Sequence, residues 1–220
     1  MSILVEAYVD RLDTACAAEA SGAGRLELCG PGEGGLTPSS ELLAAVMAAV
    51  RIPVHVMVRP RTGDFVYTND EFDAMRRGVE LAKGSGAAGV VFGMLRADGR
   101  LDAVRMRELV ALARPLRVGC HRAFDATPDA DAALDTLLAL GVDLVLTSGH
   151  APTALDGVAT LARHVRHAAG RMVILAGGSV REGNVVAVVG ASDVREVHAR
   201  AAEPDAFATL VRTVRSMGAG

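Results

Sequence analysis

Hydrophobic and polar positions along the chain keep two rhythms: short apolar runs of strand length, and longer stretches in which apolar residues recur at helical spacing. The short runs fall at 3–9, 25–29, 54–59, 89–93, 117–123, 143–147, 172–176 and 194–198. Runs as continuous as Met172-Val173-Ile174-Leu175 suit parallel strands covered on both faces. Helical spacing is predicted around Cys16 and over 39–50, 70–83, 102–113, 129–140, 153–169, 181–189 and 205–217. Four returns from helix to strand begin at Gly22, Gly86, Gly141 and Gly190. Just past a helix, glycine takes the left-handed conformation that satisfies the last carbonyls without steric penalty. The chain therefore reads as four strand-helix-strand-helix quarters, the count of an α/β fold closed into a (β/α)8 barrel.

Length and composition fit that reading. A chain of 220 residues, 50% of them hydrophobic, can bury one large core, and no Pro/Ser-rich linker divides it. We expect a compact single-domain barrel over 1–220. A formal charge of −3 gives no electrostatic footprint for nucleic acid or an anionic membrane. No apolar run approaches membrane-spanning length, and the start, Met1-Ser2-Ile3-Leu4-Val5-Glu6, does not read as a signal peptide. Three widely spaced cysteines, Cys16, Cys29 and Cys120, argue against a disulfide framework and for a cytoplasmic address. Of the 23 basic residues only Lys83 is lysine, and it falls within a helical stretch. A Schiff-base aldolase, which needs a lysine amine at a strand end, is set aside.

Polar residues inside apolar strands carry the candidate chemistry. Residues two apart share a strand face, so Glu27 goes with Cys29, His55 with Met57 and Arg59, and Gly119 with His121 and Ala123. Glu6, Thr147, Glu196 and His198 can join the same lumen, which such barrels normally fill with aliphatic side chains. Two readings stand side by side. Glu6 and Glu27 either staple the barrel by pairing with Arg59 or Arg122, or act on a ligand; His55 either bonds nearby backbone or works. The run His121-Arg122-Ala123-Phe124-Asp125 sets an imidazole, a guanidinium and a carboxylate at one strand end, a set that can bind an anion and move a proton. Glu27, His55, Arg59, His121 and Asp125 are the candidate catalytic residues.

For the anion, the loop Gly177-Gly178-Ser179 follows the seventh strand, where backbone amides and a helix amino terminus attract phosphate. Arg122 and Ser148 complete the candidate anion site. The glycine-rich stretch 30–38 lacks the Lys-Ser ending of a nucleotide P-loop. His164 and His167, beside Arg163 and Arg166, read as a solvated helix face, and His150 falls in a loop that could line the mouth. Cys16 reads as packing. No organic cofactor is indicated.

Several long motifs resemble one family, in order and nearly end to end. They are Arg25-Leu26-Glu27-Leu28-Cys29, Gly34-Gly35-Leu36-Thr37-Pro38-Ser39, Pro53-Val54-His55-Val56-Met57-Val58-Arg59-Pro60-Arg61, Gly63-Asp64-Phe65, His121-Arg122-Ala123-Phe124-Asp125 and Leu146-Thr147-Ser148-Gly149. Together they resemble the CutC copper homeostasis protein family. The resemblance implies a TIM-type barrel, a cytoplasmic homo-oligomer and a link to copper. Copper(I) favours thiolates, which makes Cys29 and Cys120 the candidate copper ligands, although strand alternation sets Cys120 opposite His121. The sequence-level expectation is thus a CutC-type copper homeostasis protein, its partner a copper ion or a small anionic ligand, with a polar anion-binding pocket at the carboxyl-terminal mouth. The alternatives are a TIM-barrel lyase, isomerase or hydrolase acting on a small phosphorylated or anionic metabolite by acid-base chemistry, and a non-catalytic scaffold.

Overall fold

The computed structural model describes residues 3–217. Strands and helices alternate as β1 (Leu4–Val9), α1 (Leu12–Ser21), β2 (Arg25–Leu28), α2 (Ser40–Ala49), β3 (Val54–Met57), α3 (Asn69–Gly84), β4 (Gly89–Phe92) and α4 (Ala103–Ala113). The second half runs β5 (Arg117–Cys120), α5 (Ala130–Leu140), β6 (Leu144–Thr147), α6 (Val158–Ala168), β7 (Val173–Ala176), α7 (Val185–Ser192), β8 (Glu196–Arg200) and α8 (Pro204–Met217). Each strand pairs in parallel with the next, and β8 closes on β1, giving the eight-stranded barrel that the pattern predicts.

Helix starts follow local chemistry. Thr68 and Glu71 form a reciprocal capping box ahead of α3, and Ser39 and Asp129 cap α2 and α5 with their side chains. Three of the predicted returns hold: Gly22 and Gly141 are left-handed caps, and Gly86 is left-handed one residue past the α3 cap. The fourth does not. Gly190 lies inside α7, and Asp193, at φ +62°, takes the left-handed position. Aspartate tolerates that conformation because its short polar side chain bonds locally. Consequently β8 begins two residues later than the predicted 194, with Glu196 and His198 still on one face. Two helix starts also move. The segment 153–157 closes its own turn through Thr153 and Asp156 before α6, and 181–184 forms a turn ahead of α7.

Alternation splits the side chains into two sets. Outward-facing Leu28, Val56, Val90, Phe92, Val118, Cys120 and Val145 join the main core beneath the helices, with Leu43, Met75, Leu109, Leu134 and Leu161. Thr147 has the parity of Val145, so it leaves the lumen to which the sequence assigned it, and its hydroxyl bonds Asp125. The lumen itself is two-sided. On β6 and β7 it is lined by Leu144, Leu146, Val173 and Leu175, whereas β8, β1, β2 and β3 contribute Glu196, His198, Glu6, Arg25, Glu27 and His55. Between the walls, luminal glycines on and after β4 make room for rings. A Cβ at Gly89 would stand 2.6 Å from the His55 ring, and one at Gly93 would stand 2.8 Å from that of His121. Among the described residues, no helix is long and apolar enough to cross a membrane.

Candidate functional site

The polar wall forms a connected network. Glu6 accepts from Arg25 Nε and sits 2.8 Å from His198 Nδ1, while Arg25 Nη2 reaches Glu196 at 2.6 Å. The partner of Glu6 is thus Arg25, not the Arg59 or Arg122 expected from the sequence. Burial pushes the Glu6 carboxyl up, but the His198 hydrogen bond and the charges of Arg25 and His198 outweigh it and hold it at about 2. Burial pulls His198 down, yet the charge of Glu27 and the hydrogen bond and charge of Glu6 leave it raised, favouring the charged form between two carboxyl groups.

Glu27 differs from Glu6. Its Oε2 lies 3.8 Å from both His198 Nε2 and Cys29 Sγ, and its Oε1 has no hydrogen-bond partner among the described residues. Burial, with the nearby Glu6 charge, pushes it up to about 7 against the opposing pull of His198. A carboxyl group poised there exchanges a proton readily at neutral pH. It faces a cavity of about 800 Å³ at the carboxyl-terminal mouth, shared with Tyr8, Met57, Arg59, Phe65, His121, Arg122, Gly178, Ser179 and His198.

His121 enters that cavity from the far side. Its Nδ1 accepts the Ala123 backbone N–H at 3.2 Å, which places the ring proton on Nε2, and Nε2 is buried without a partner. Burial, helped by the Arg59 charge, drives its pKa down to about 3. The imidazole is therefore a neutral donor. Arg59 binds the rim together: Nη1 donates to Glu33 O at 3.2 Å, Nη2 to Gly63 O at 2.9 Å, and the guanidinium stacks 5.0 Å from the Phe65 ring centre.

Asp125 is fully engaged. Its oxygens accept from Thr147 Oγ1, from the Ser148 and His150 amides at 3.0 and 3.1 Å, and from Arg122 Nε at 2.8 Å. It pins the loop after β5 to the loop after β6 and fixes Arg122, whose Nη2 also donates to Ser148 Oγ at 2.7 Å. Ser148 is buried behind that pair and does not line the cavity. Gly177 is likewise structural: its amide bonds Thr147 O, and a Cβ there would meet Leu146 at 2.4 Å. Gly178 and Ser179 do line the mouth. Ser179 holds a left-handed φ of +57°, an uncommon state for a residue with a Cβ, and the amides of Gly178, Ser179 and Val180 donate to no acceptor among the described residues.

His55 sits outside the set that lines the cavity, its Nδ1 unpartnered 4.0 Å from Glu6 Oε2, and burial lowers it to about 4. His150 is turned from the mouth, against Phe124 and Thr127. His164 is not solvated: with Leu161 and Ala168 it forms the inward stripe of α6, and it packs edge-on to Phe124. His198, the hub of the network, was readable as luminal from its parity with Glu196, but its role needed the β1–β8 register that sets it beside Glu6.

The thiols do not meet. Cys29 packs in the lumen with Met57 and Val91, whereas Cys120 lies in the core under the helices, on the other side of the sheet. Burial pushes the Cys29 thiol well above its ordinary value and that of Cys120 to about 12, so both favour the protonated form, which is the poorer copper ligand. A copper site shared by these two residues does not fit this arrangement. Glu6, Glu27 and His198 do bring ligand-type atoms within 4.8 Å of one another. Arg25 and His198 already occupy the two oxygens of Glu6, so this cluster is an internal hydrogen-bonded network.

Residues 3–203 match the sequence model of the CutC family. A mouse protein named copper homeostasis protein cutC homolog is 46% identical over 199 residues, 90% of this chain and 73% of its own length. Its human namesake is 45% identical over the same span. The crystal structure of a CutC protein from Streptococcus agalactiae superposes with a TM-score of 0.84 at 27% identity, covering 89% of this chain and 97% of that one.

Proposed function

The chain belongs to the CutC family, and from that premise we propose that its working part is the carboxyl-terminal mouth, a pocket that binds a small anionic molecule and moves a proton on it. One observation carries the reading: Glu27 keeps an unpartnered oxygen, buried and half-titrated near neutral pH, at a cavity of about 800 Å³. A carboxylate kept only to staple the barrel would be saturated with donors, as Glu6 and Asp125 are. The scaffold alternative asks for luminal polar residues all salt-bridged to one another and for no open cleft; Glu27 does lie 3.8 Å from His198, but its free Oε1 and the cavity speak against that reading. Arg122 and the amides of Gly178 and Ser179 form the anion corner, with Arg59 and Asp125 as positioning residues that hold the rim and Arg122.

The relatives are named for copper homeostasis. With the two thiols protonated and on opposite faces of the sheet, the copper relation proposed for this chain is indirect, through the molecule handled at the mouth. Thermal unfolding with inorganic phosphate, and anaerobic titration with a Cu(I) competitor, test both statements. Phosphate is expected to raise the melting temperature, less so in Arg122→Ala, while the competitor keeps its copper. A phosphate effect that is absent, or identical in the variant, sinks the anion corner. Copper taken from the competitor by the native chain but not by a Cys29→Ser, Cys120→Ser double variant overturns the indirect reading.

A further inference from the structure

The proposed pocket holds a base and a donor but little else that reacts. The sole lysine, Lys83, donates to the Leu112 and Arg114 carbonyls away from the cavity. Cys29 is a buried thiol beside a carboxylate, and Cys120 lies outside the barrel lumen. Covalent catalysis through an amine or a thiolate therefore has no candidate here, and the chemistry is proton transfer.

Which proton follows from the two unpartnered groups. Among the described residues Glu27 Oε1 accepts from nothing and His121 Nε2 donates to nothing, although both residues are buried and both face one cavity. His121 is not a base at neutral pH: the Ala123 amide occupies Nδ1, and the Arg59 cation beside it opposes protonation. What it offers is a fixed N–H at a site shielded from water, the arrangement that stabilises an oxygen on which negative charge develops. A base plus an oxygen-binding donor, in the absence of a nucleophile, suits removal of a proton from a carbon next to a carbonyl.

Resting on the anion-pocket reading, we infer that the mouth enolises a small phosphorylated hydroxyaldehyde or hydroxyketone. Glu27 takes the proton from the carbon beside the carbonyl, His121 Nε2–H holds the carbonyl oxygen, and the Arg122, Gly178 and Ser179 corner holds the phosphate. The C–H bond breaks to Glu27, its electron pair forms the C=C bond of an enediolate, and the carbonyl π pair moves onto the oxygen at His121. Once the proton on Glu27 has exchanged with solvent, its return to the same carbon completes hydrogen exchange; its return to the neighbouring carbon, as that carbon's hydroxyl proton passes to the oxygen at His121, completes isomerisation, with no redox partner. On the apolar side Met57, Phe65 and Leu146 flank the space for the carbon chain.

The test is deuterium wash-in. The full chain is incubated in D2O with dihydroxyacetone phosphate, glyceraldehyde 3-phosphate and ketose and aldose phosphates of five and six carbons, and loss of the proton beside the carbonyl is followed by NMR. Wash-in above background is expected with at least one of them. Glu27→Gln is expected to lower it by roughly a hundredfold or more, the usual scale for a general base. His121→Ala is expected to lower it about a hundredfold, with partial recovery in His121→Gln, which keeps an N–H donor. Phosphate-induced thermal stabilisation, retained in each variant, shows that fold and anion corner survive. Background wash-in with every compound while phosphate still stabilises overturns the enolisation and leaves the pocket standing, as does wash-in indifferent to Glu27→Gln. Absence of any phosphate effect defeats the pocket itself.

Discussion

At position 164 a buried imidazole has both nitrogens unpartnered among the described residues, its ring 5.4 Å from that of Phe124 and 6.0 Å from that of His150. A buried polar group without a hydrogen bond costs about 1–3 kcal/mol of desolvation, and an apolar side chain of similar shape avoids it. His164→Leu is therefore expected to raise unfolding stability by about 1 kcal/mol in urea titrations. Lower stability in the variant would mean that the ring has a partner, such as a buried water, which the replacement strands. Glu27 presents the opposite case. Its free oxygen is the same kind of cost, but at a cavity where a ligand can supply the missing partner, and this distinction in surroundings separates a working group from a tolerated one.

Glycines on different elements carry different obligations, and substitution reads them apart. Gly190, inside α7, has nothing within 4 Å of the place a Cβ would occupy, so Gly190→Ala is expected to stabilise by about 0.5–1 kcal/mol through helix propensity. Gly93, just past β4, has the His121 ring at 2.8 Å and Ala123 Cβ at 3.0 Å. Gly93→Ala is expected to destabilise by about 1–3 kcal/mol by overpacking and to slow any reaction that depends on His121. Equal melting temperatures for the two variants would refute this division. The same pair shows what could be read in advance. The eight-strand count, the side-chain parity and the luminal position of Glu27 and His121 follow from local pattern, since alternation is a property of the backbone. Gly190 was misleading because glycine signals freedom, and only tertiary packing tells whether the freedom is used. Asp125 and Ser148 were legible as mouth residues, but their engagement with each other and with Arg122 depends on two loops meeting in space. The burial of His164 was likewise hidden, because its arginine neighbours are polar and only the Leu161, His164, Ala168 spacing betrays the inward stripe.

For the whole molecule, a barrel lumen divided into an aliphatic wall and an ionic wall makes stability depend on pH in a way the charge of −3 does not suggest. Burial holds His55 and His164 at about 4 and His121 at about 3, all below the ordinary 6.5. As pH falls below 6.5, the unfolded chain takes up three protons on these residues that the folded chain refuses, so stability declines with acidity. Glu27 opposes this. Raised to about 7 in the fold from 4.5, it gains its proton first in the folded state, and contributes stability that grows as pH falls from about 7 to 4.5. The balance near pH 5.5 is about two protons taken up on unfolding, or roughly 2–3 kcal/mol lost per pH unit. Below 4.5 the stability due to Glu6, held at about 2, begins to go as well, which prolongs the fall while His55 and His164 start to take up their protons in the fold. On the alkaline side the raised His198 contributes stability that is whole below 6.5 and disappears as pH climbs through its folded value. Maximal stability is thus expected near neutral pH, with a steep acid limb. Urea midpoints at pH 7, 6 and 5 measure it directly. A flat profile over that range would mean that the buried imidazoles titrate as freely in the fold as in the unfolded chain, and would remove the basis for treating His121 as a permanently neutral donor.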